Sequence, residues 1–281
     1  MSRYLDNKME TKKKWWIILG VIFLIVFVCD MRLKTVIYTI ESEKINNPVK
    51  IALITDLHSN WYGKNQSILI GAVEKQNPDI VLLGGDIFDD KKTYDNAEKT
   101  VQALAKQYPC YYVTGNHEYW SYDIETIFEI LTSYGVTILS GECVTIEVNG
   151  EKINLCGVDD PDVIEYTEYG IGMEEQLQMA ENMANKEYYT ILLSHRPEWI
   201  ETYQKYAFDL VLCGHAHGGQ WRIPFLLNGL YAPHQGLFPD YAGGRYDYAI
   251  GTMIVSRGLA RESTPVPRIF NRPELVVVEL N

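Results

Sequence analysis

Two imidazoles sit one residue apart in Cys213-Gly214-His215-Ala216-His217-Gly218-Gly219-Gln220. The run before them, Phe208-Asp209-Leu210-Val211-Leu212, reads as a buried strand. In extended backbone, side chains alternate with period two, so His215 and His217 would face the same way and reach two nearby centres. Gly214, Gly218 and Gly219 remove side-chain bulk where something must come close. A lone pair of this kind is often just a solvated loop. Here five of the six histidines (His58, His117, His195, His215, His217) fall in stretches bearing Asp, Asn or Gly, each after a β-like run. Imidazoles gathered with carboxylates are the donor set of a transition-metal site. The chemistry to expect is metal-assisted.

The elements that must position these residues alternate between strand and helix. Lys50 to Thr55 is a β-branched apolar run ending in Asp56-Leu57-His58. Gly63 to Gln76 reads as a helix. Asp79 to Leu83 is the next strand and ends in Gly84-Gly85-Asp86-Ile87-Phe88-Asp89-Asp90. After a helix over 94–106, Cys110 to Thr114 ends in Gly115-Asn116-His117-Glu118. Three times, polar residues sit at the carboxyl end of a strand leading towards a helix, the edge where open α/β sheets build sites. Beyond a helix at 123–133, short strands at 136–139, 143–148 and 152–158 suggest a second, partly antiparallel sheet, with Asn149-Gly150 a hairpin turn. Tyr189 to Ser194 then leads into His195-Arg196-Pro197. Residues 219–245 form a long Gly-, Pro- and aromatic-rich loop of the kind that is usually functional. Strand-like runs at 246–256 and 274–280 follow.

Length allows one large α/β domain, and the composition is that of an ordinary globular chain. A formal charge of −12 argues against nucleic acid as a partner. The five cysteines show no CxxC and no regular spacing, so neither a disulfide framework nor a zinc ribbon is expected. Before the domain lies a basic tail, 1–14, ending in Lys12-Lys13-Lys14. An uncharged run, Trp15 to Cys29, follows. It is short for a span of about 20 residues, but interfacial Trp and snorkelling Lys could extend it. No small-x-small cleavage site follows, so an uncleaved anchor over 15–33 is expected rather than a removed signal peptide. A connector at 34–48, with a first edge strand from Thr35 to Ile40, leads to the domain at 49–281. The basic excess before the run places the domain outside the cytoplasm, as a single-pass protein of the cell membrane. Free cysteines pull the other way, towards a reducing compartment.

Taken in order, Asp56-x-His58, Gly85-Asp86-x-x-Asp89, Gly115-Asn116-His117-Glu118, His195 and Gly214-His215-x-His217 resemble the calcineurin-like metallophosphoesterases. The tail adds Gly218-Gly219-Gln220, Leu230-Tyr231 and Ser256-Arg257-Gly258-Leu259, similar to the YkuE/YaeI-like branch of membrane-associated or exported bacterial phosphoesterases. The resemblance implies two mixed β-sheets packed face to face and flanked by helices, here behind an N-terminal transmembrane helix. It implies two divalent metals, one held by Asp56, His58, Asp86 and His217, the other by Asp86, Asn116, His195 and His215. Asp86 would bridge them, and a water between them would attack the phosphoester. A mixed oxygen and nitrogen set suits Mn, Fe or Zn better than Mg. His117 would touch the phosphoryl oxygen or protonate the leaving group, with Asp89 orienting it. Capping its own turn is the other role open to Asp89. Arg196 and Arg257 are candidate phosphate binders, with an ordinary surface or ion-pair role equally open to each. His234 matches no motif and reads as a solvated loop histidine.

A membrane-anchored phosphodiesterase or pyrophosphatase is the leading expectation. A phosphomonoesterase, and a metal-binding sensor or scaffold without turnover, stay open. Protein-phosphatase relatives carry Asp-Arg-Gly where this chain has Asp89-Asp90-Lys91, which weakens a phosphoprotein substrate. The apolar residues of 219–245 make a lipid-linked phosphoester a compatible substrate. The sequence sets no oligomeric state.

Overall fold

The uninterrupted apolar runs become strands buried on both faces. In this computed structural model, which describes residues 2–249, 251–261 and 267–281 with side chains from Lys14 onward, they form two six-stranded mixed sheets. With strands numbered in chain order, the first sheet runs β1 (Lys34–Ile40), β14 (Glu274–Leu280), β2 (Val49–Ile54), β3 (Ile80–Gly84), β4 (Cys110–Val113), β5 (Thr137–Ile138). The second runs β12 (Gly244–Asp247), β13 (Thr252–Val255), β9 (Leu210–Cys213), β8 (Tyr189–Leu193), β7 (Glu151–Gly157), β6 (Glu142–Val148). A two-stranded ribbon, β10 (Tyr231–Ala232) and β11 (Gly236–Leu237), lies apart from both.

Alternation along each strand sorts its side chains into two layers. Ile51, Leu53, Ile80 and Leu82 point inward and meet Ile191, Leu193, Leu210 and Leu212 of the facing sheet. Ala52, Ile54, Val81 and Leu83 point outward, under helices α2 (Ser67–Gln76), α3 (Asp95–Ala105) and, past α4 (Asn116–Trp120), α5 (Ile124–Ser133). On the far side, Leu192, Val211 and Met253 pack beneath α7 (Met173–Met183) and α8 (Ile200–Tyr203), which follow the short α6 (Val163–Tyr166). α3 shows why it docks there: Ala97, Val101 and Leu104 recur at helical spacing and are buried. The layers are therefore helix, sheet, sheet, helix, as the sequence led us to expect.

β2, β3, β4 and β5 are mutually parallel, as are β7, β8, β9 and β13. The carboxyl ends of β2, β3, β4, β8 and β9 meet on one rim. Asn149 and Gly150, both at positive φ, turn β6 antiparallel into β7. The expected run 246–256 is divided into β12 and β13, joined by a turn.

Three expectations need correction. The N-terminal helix α1 spans Ser2–Val28, so tail and anchor are one helix, and it ends before residue 33. Among the described residues no helix is long and apolar enough to cross a membrane. Its uncharged part would rise only about 21 Å, against a hydrocarbon core of about 30 Å. The basic side chains of residues 1–13 lie outside the described ones. Second, the edge strand expected from Thr35 to Ile40 is present, but it belongs to the domain's first sheet rather than to a connector, pairing in full register with β14. Third, Cys143 and Cys156, facing residues on β6 and β7, form a disulfide. Their spacing carries no motif, because adjacency across strands, not along the chain, brings them together.

Candidate metal centre

Five strand ends supply the site. Asp56 and His58 follow β2, Asp86 and Asp89 follow β3, Asn116 and His117 follow β4, His195 follows β8, and His215 and His217 follow β9. All but His117 are buried. The chain leaves each strand sharply. Asp56, His58, Asp86, His215 and His217 have φ of 52°, 45°, 53°, 64° and 47°. Left-handed backbone is unfavourable for residues with a Cβ and clusters at functional sites. Gly218 and Gly219 adopt such angles too, with φ of 62° and 63°. Glycine is required at Gly85, where φ is 85° and an added Cβ would sit 2.5 Å from His195 Nδ1. It is equally required at Gly258, where a Cβ would sit 2.5 Å from Asp56 Oδ2.

Two groups of donor atoms converge. Asp56, His58, Asp86 and His217 each bring one donor within 4.8 Å of the others, and so do Asp86, His195 and His215. Asp86 belongs to both. Its Oδ2 lies 3.2 Å from His195 Nε2 and 3.6 Å from His58 Nε2. His217 Nε2 is 3.7 Å from Asp56 Oδ1. His195 donates from Nδ1 to the Gly84 carbonyl at 2.9 Å, which leaves Nε2 to face Asp86.

The other carboxylate oxygens are fixed by backbone. Asp86 Oδ1 accepts from His117 N at 2.9 Å, and Asp56 Oδ1 accepts from His215 N at 2.9 Å. Asp56 Oδ2, Asp86 Oδ2, Asn116 Oδ1 and His58 Nε2 are buried with no hydrogen-bond partner. Orphaned lone pairs in a buried cluster cost free energy unless something electropositive satisfies them. These residues fit divalent cations.

The protonation pattern reflects that crowding. Burial works to raise the Asp86 carboxyl, but the charges of His195, His117 and His58 outweigh it and hold the group well below the usual range. Burial lowers His195, yet the Asp86 charge beside its Nε2 lifts it to about 10. Burial, with the Arg196 charge, pushes His215 well down, and burial, with the His58 charge, does the same to His217. Burial, with the Asp86 charge, raises Asp56 against the attraction of His195.

His117 stands beside the two groups, with its ring 4.3 Å from that of His58. Burial lowers it, and the Asp86 charge with a hydrogen bond to Asp90 raises it more. The expected orienting residue is corrected here. His117 Nδ1 lies 2.7 Å from Asp90 Oδ1. Asp89 instead approaches His58 Nδ1 at 3.3 Å and accepts from Lys91 N at 3.0 Å, so it also closes its own turn.

Of the two roles open to the arginines, the structure shows the ion pair. Arg196 is buried, and its Nη2 donates to Asp160 Oδ1 at 2.8 Å and Asp162 Oδ1 at 3.0 Å. Arg257 Nη1 donates to Glu274 Oε2 at 2.8 Å. Each guanidinium is thus paired with a carboxylate inside the protein, while Arg196 Nη1 also faces His215 and His234.

Sequence reasoning missed three residues. Asp90 sat next to the residue chosen. Glu118 was quoted within its motif but given no role. Its buried carboxylate accepts from the backbone N–H groups of Asp86, Ile87, Phe88 and Gly115 at 2.7–3.0 Å. Burial and the Asp86 charge push it up to about 7. His234 is exposed, in keeping with a solvated loop histidine, yet its Nδ1 also lies 3.0 Å from His215 Nε2. Neither spacing nor pattern announced it.

Comparison with known proteins agrees with this geometry. The calcineurin-like phosphoesterase profile matches residues 49–219. An uncharacterized metallophosphoesterase of Helicobacter pylori is 32% identical over 73% of the chain and 56% of its own length. A cattle transmembrane protein with a metallophosphoesterase domain is 30% identical over 82% of the chain and 52% of its own length. The chain thus spans about half the length of these relatives. The Escherichia coli phosphodiesterase YaeI is 28% identical over 83% of the chain and 82% of its own length. Among solved structures, a 5'-nucleotidase precursor from Thermus thermophilus superposes with a TM-score of 0.52 at 14% identity, covering 83% of this chain and 54% of that one. That likeness concerns the fold.

Proposed function

Because the chain belongs to the calcineurin-like phosphoesterase family and is a metal-dependent phosphoesterase, we propose that it hydrolyses phosphodiesters or pyrophosphates at a two-metal centre beside a membrane. The observation that carries this is Asp86, a buried carboxylate shared by two converging donor sets whose remaining lone pairs have no partner. Asp56, His58, Asp86 and His217 would hold one divalent cation, and Asp86, Asn116, His195 and His215 the other. Bound there, the cations would neutralise phosphoryl charge and supply a nucleophile at neutral pH. Imidazole donors favour Mn, Fe or Zn over Mg.

The chain's own residues do the rest. Asp86 Oδ1 is pinned by the His117 N–H, so its Oδ2 keeps one direction. His117, oriented by Asp90 and raised above its ordinary value, keeps a proton on its ring to hand to the leaving oxygen. A scaffold or sensor without turnover has no use for that arrangement, and the name of the Escherichia coli relative favours a diester.

Membrane attachment is part of the same reading. Trp15 to Phe27 of α1 are exposed apolar residues apart from Gly20, and Phe225 and Leu226 are exposed at the tip of the long loop. The two meet at a cleft of about 810 Å³, where Phe23 and Phe27 face Pro224 and Phe270. Asp30, Arg32 and Arg272 also line that cleft, and the exposed apolar residues of helix and loop favour contact with lipid. The Cys143–Cys156 disulfide supports an oxidising, extracytoplasmic side.

The deciding assay uses bis-p-nitrophenyl phosphate and p-nitrophenyl phosphate with Mn²⁺. We expect turnover of the diester, lost on chelation and restored by metal. Faster turnover of the monoester would make the protein a monoesterase, and none with either would favour the sensor.

A further inference from the structure

Between Asp209 and Asp240 the chain carries a single charged side chain, Arg222, histidines aside. The loop around it exposes apolar residues at Ile223, Phe225, Leu226, Leu237 and Phe238. Arg222 stands at the base of a tight hairpin. Ile223 N donates to Leu227 O at 3.0 Å, and Leu227 N donates back to Ile223 O at 2.8 Å. The turn holds Phe225 with φ of 68°, left-handed backbone that costs a residue with a Cβ, and leaves its ring wholly in solvent. A ring in solvent adds nothing to the core, and backbone strain of this kind collects where proteins bind.

The guanidinium is held but not neutralised. Its Nε donates to Asn228 O at 2.9 Å and its Nη2 to Asn228 Oδ1 at 3.2 Å. Among the described residues it makes no salt bridge, whereas Arg32 and Arg272 pair with Asp30, and Arg257 with Glu274. Burial and the Arg257 charge hold it below the ordinary arginine value, as befits a cation short of a counter-ion. With Phe225, Leu226, Leu227 and Asn228 it lines a cavity of about 360 Å³. A guanidinium fixed between apolar walls suits a phosphate that carries its own hydrocarbon.

The cavity also lies at the right level. Phe270 N donates to Val28 O at 2.8 Å, and Arg222 N donates to Ile269 O at 3.0 Å, so two adjacent residues tie the arginine to the end of α1. There the exposed apolar run of the helix stops and the ion pair of Asp30 and Arg32 begins. With α1 against lipid, that boundary is the headgroup level.

We propose that Arg222 and the Phe225–Leu226 hairpin form a site for the phosphate of an anionic phospholipid, with the two apolar side chains among its acyl chains. The proposal rests on the membrane reading above. It adds a preference for headgroup charge, which a chain of net charge −12 would otherwise avoid.

The test places the full chain in nanodiscs of phosphatidylcholine, with and without phosphatidylglycerol, and follows amide hydrogen exchange. Amides of 223–228 should exchange about five-fold more slowly with phosphatidylglycerol, the worth of one basic residue at an anionic surface. Arg222→Gln should erase that difference and Arg222→Lys keep part of it. Phe225→Ser, at a fully exposed position, should erase it too and guards against misfolding at Arg222. Millimolar glycerol phosphate added to the phosphatidylcholine discs should give no protection. Equal exchange of wild type in the two discs, a difference that survives in Arg222→Gln or Phe225→Ser, or protection by glycerol phosphate would each overturn the proposal while leaving membrane attachment intact. A wild-type chain that stays with neither disc would instead remove the membrane reading, and this inference with it.

Discussion

His117 Nδ1 meets Asp90 Oδ1 at 2.7 Å, while the neighbouring carboxylate of Asp89 turns to His58. Adjacent acids thus serve different histidines. Asp90→Asn should lower kcat by about 10–100-fold with metal content unchanged, because it removes the charge that keeps His117 protonated. Asp89→Asn should weaken metal binding instead, since it frees the His58 ring. Metal analysis and steady-state kinetics on both variants separate the roles. Equal kinetic losses with metal retained in both would return Asp89 to the side of His117.

His117→Asn should retain both metals and lose about 10²–10⁴-fold in kcat, the usual range for an acid/base group. Loss of metal in this variant would make His117 a ligand.

Asp86→Asn should be the most damaging ligand change, because it removes one charge from both donor sets at once. Metal content by mass spectrometry should fall well below two per chain. Two metals with normal turnover would refute the assignment.

Glu118→Gln tests the support behind Asp86. Four backbone N–H groups converge on this one carboxylate. An amide can accept through only one of its two heads, and each buried donor left unpaired costs about 1–3 kcal/mol. The variant should melt at a lower temperature and bind metal more weakly. An unchanged melting temperature would show that the turn holds its shape without the carboxylate.

Removing residues 1–33 should leave turnover of a soluble diester intact and reduce vesicle binding. Converting Phe225 and Leu226 to Ser in that background should abolish what binding remains. If the Ser variant loses soluble-ester activity equally, the loop tip supports the fold and is not a lipid contact.

Strands and ligand motifs were legible because both obey local rules. Ile51 to Ile54 and Ile80 to Leu83 are apolar at every position because both faces of their sheet are covered. A strand end followed by Asp-x-His leaves few other readings. What escaped notice depends on contacts across the chain. Nothing beside His234 reveals that the loop folds back on His215, and nothing in 34–40 says its partner is 274–280. Arg196 and Arg257 stayed ambiguous for the same reason: a free guanidinium and one held by a buried acid have the same sequence.

The placing of β14 has a consequence for the order of synthesis. Its residues, 274–280, sit between β1 and β2, pairing with both. As the chain leaves the ribosome, β1 emerges early and has no sheet partner until nearly all of these 281 residues have been made. Until then one edge of β2 stands open and β1 trails beside it, both ready to pair with the wrong neighbour. Closure of the first sheet is a late, long-range event, and such closures are slow. The half-made domain therefore stays exposed to mispairing until β14 takes its place between β1 and β2.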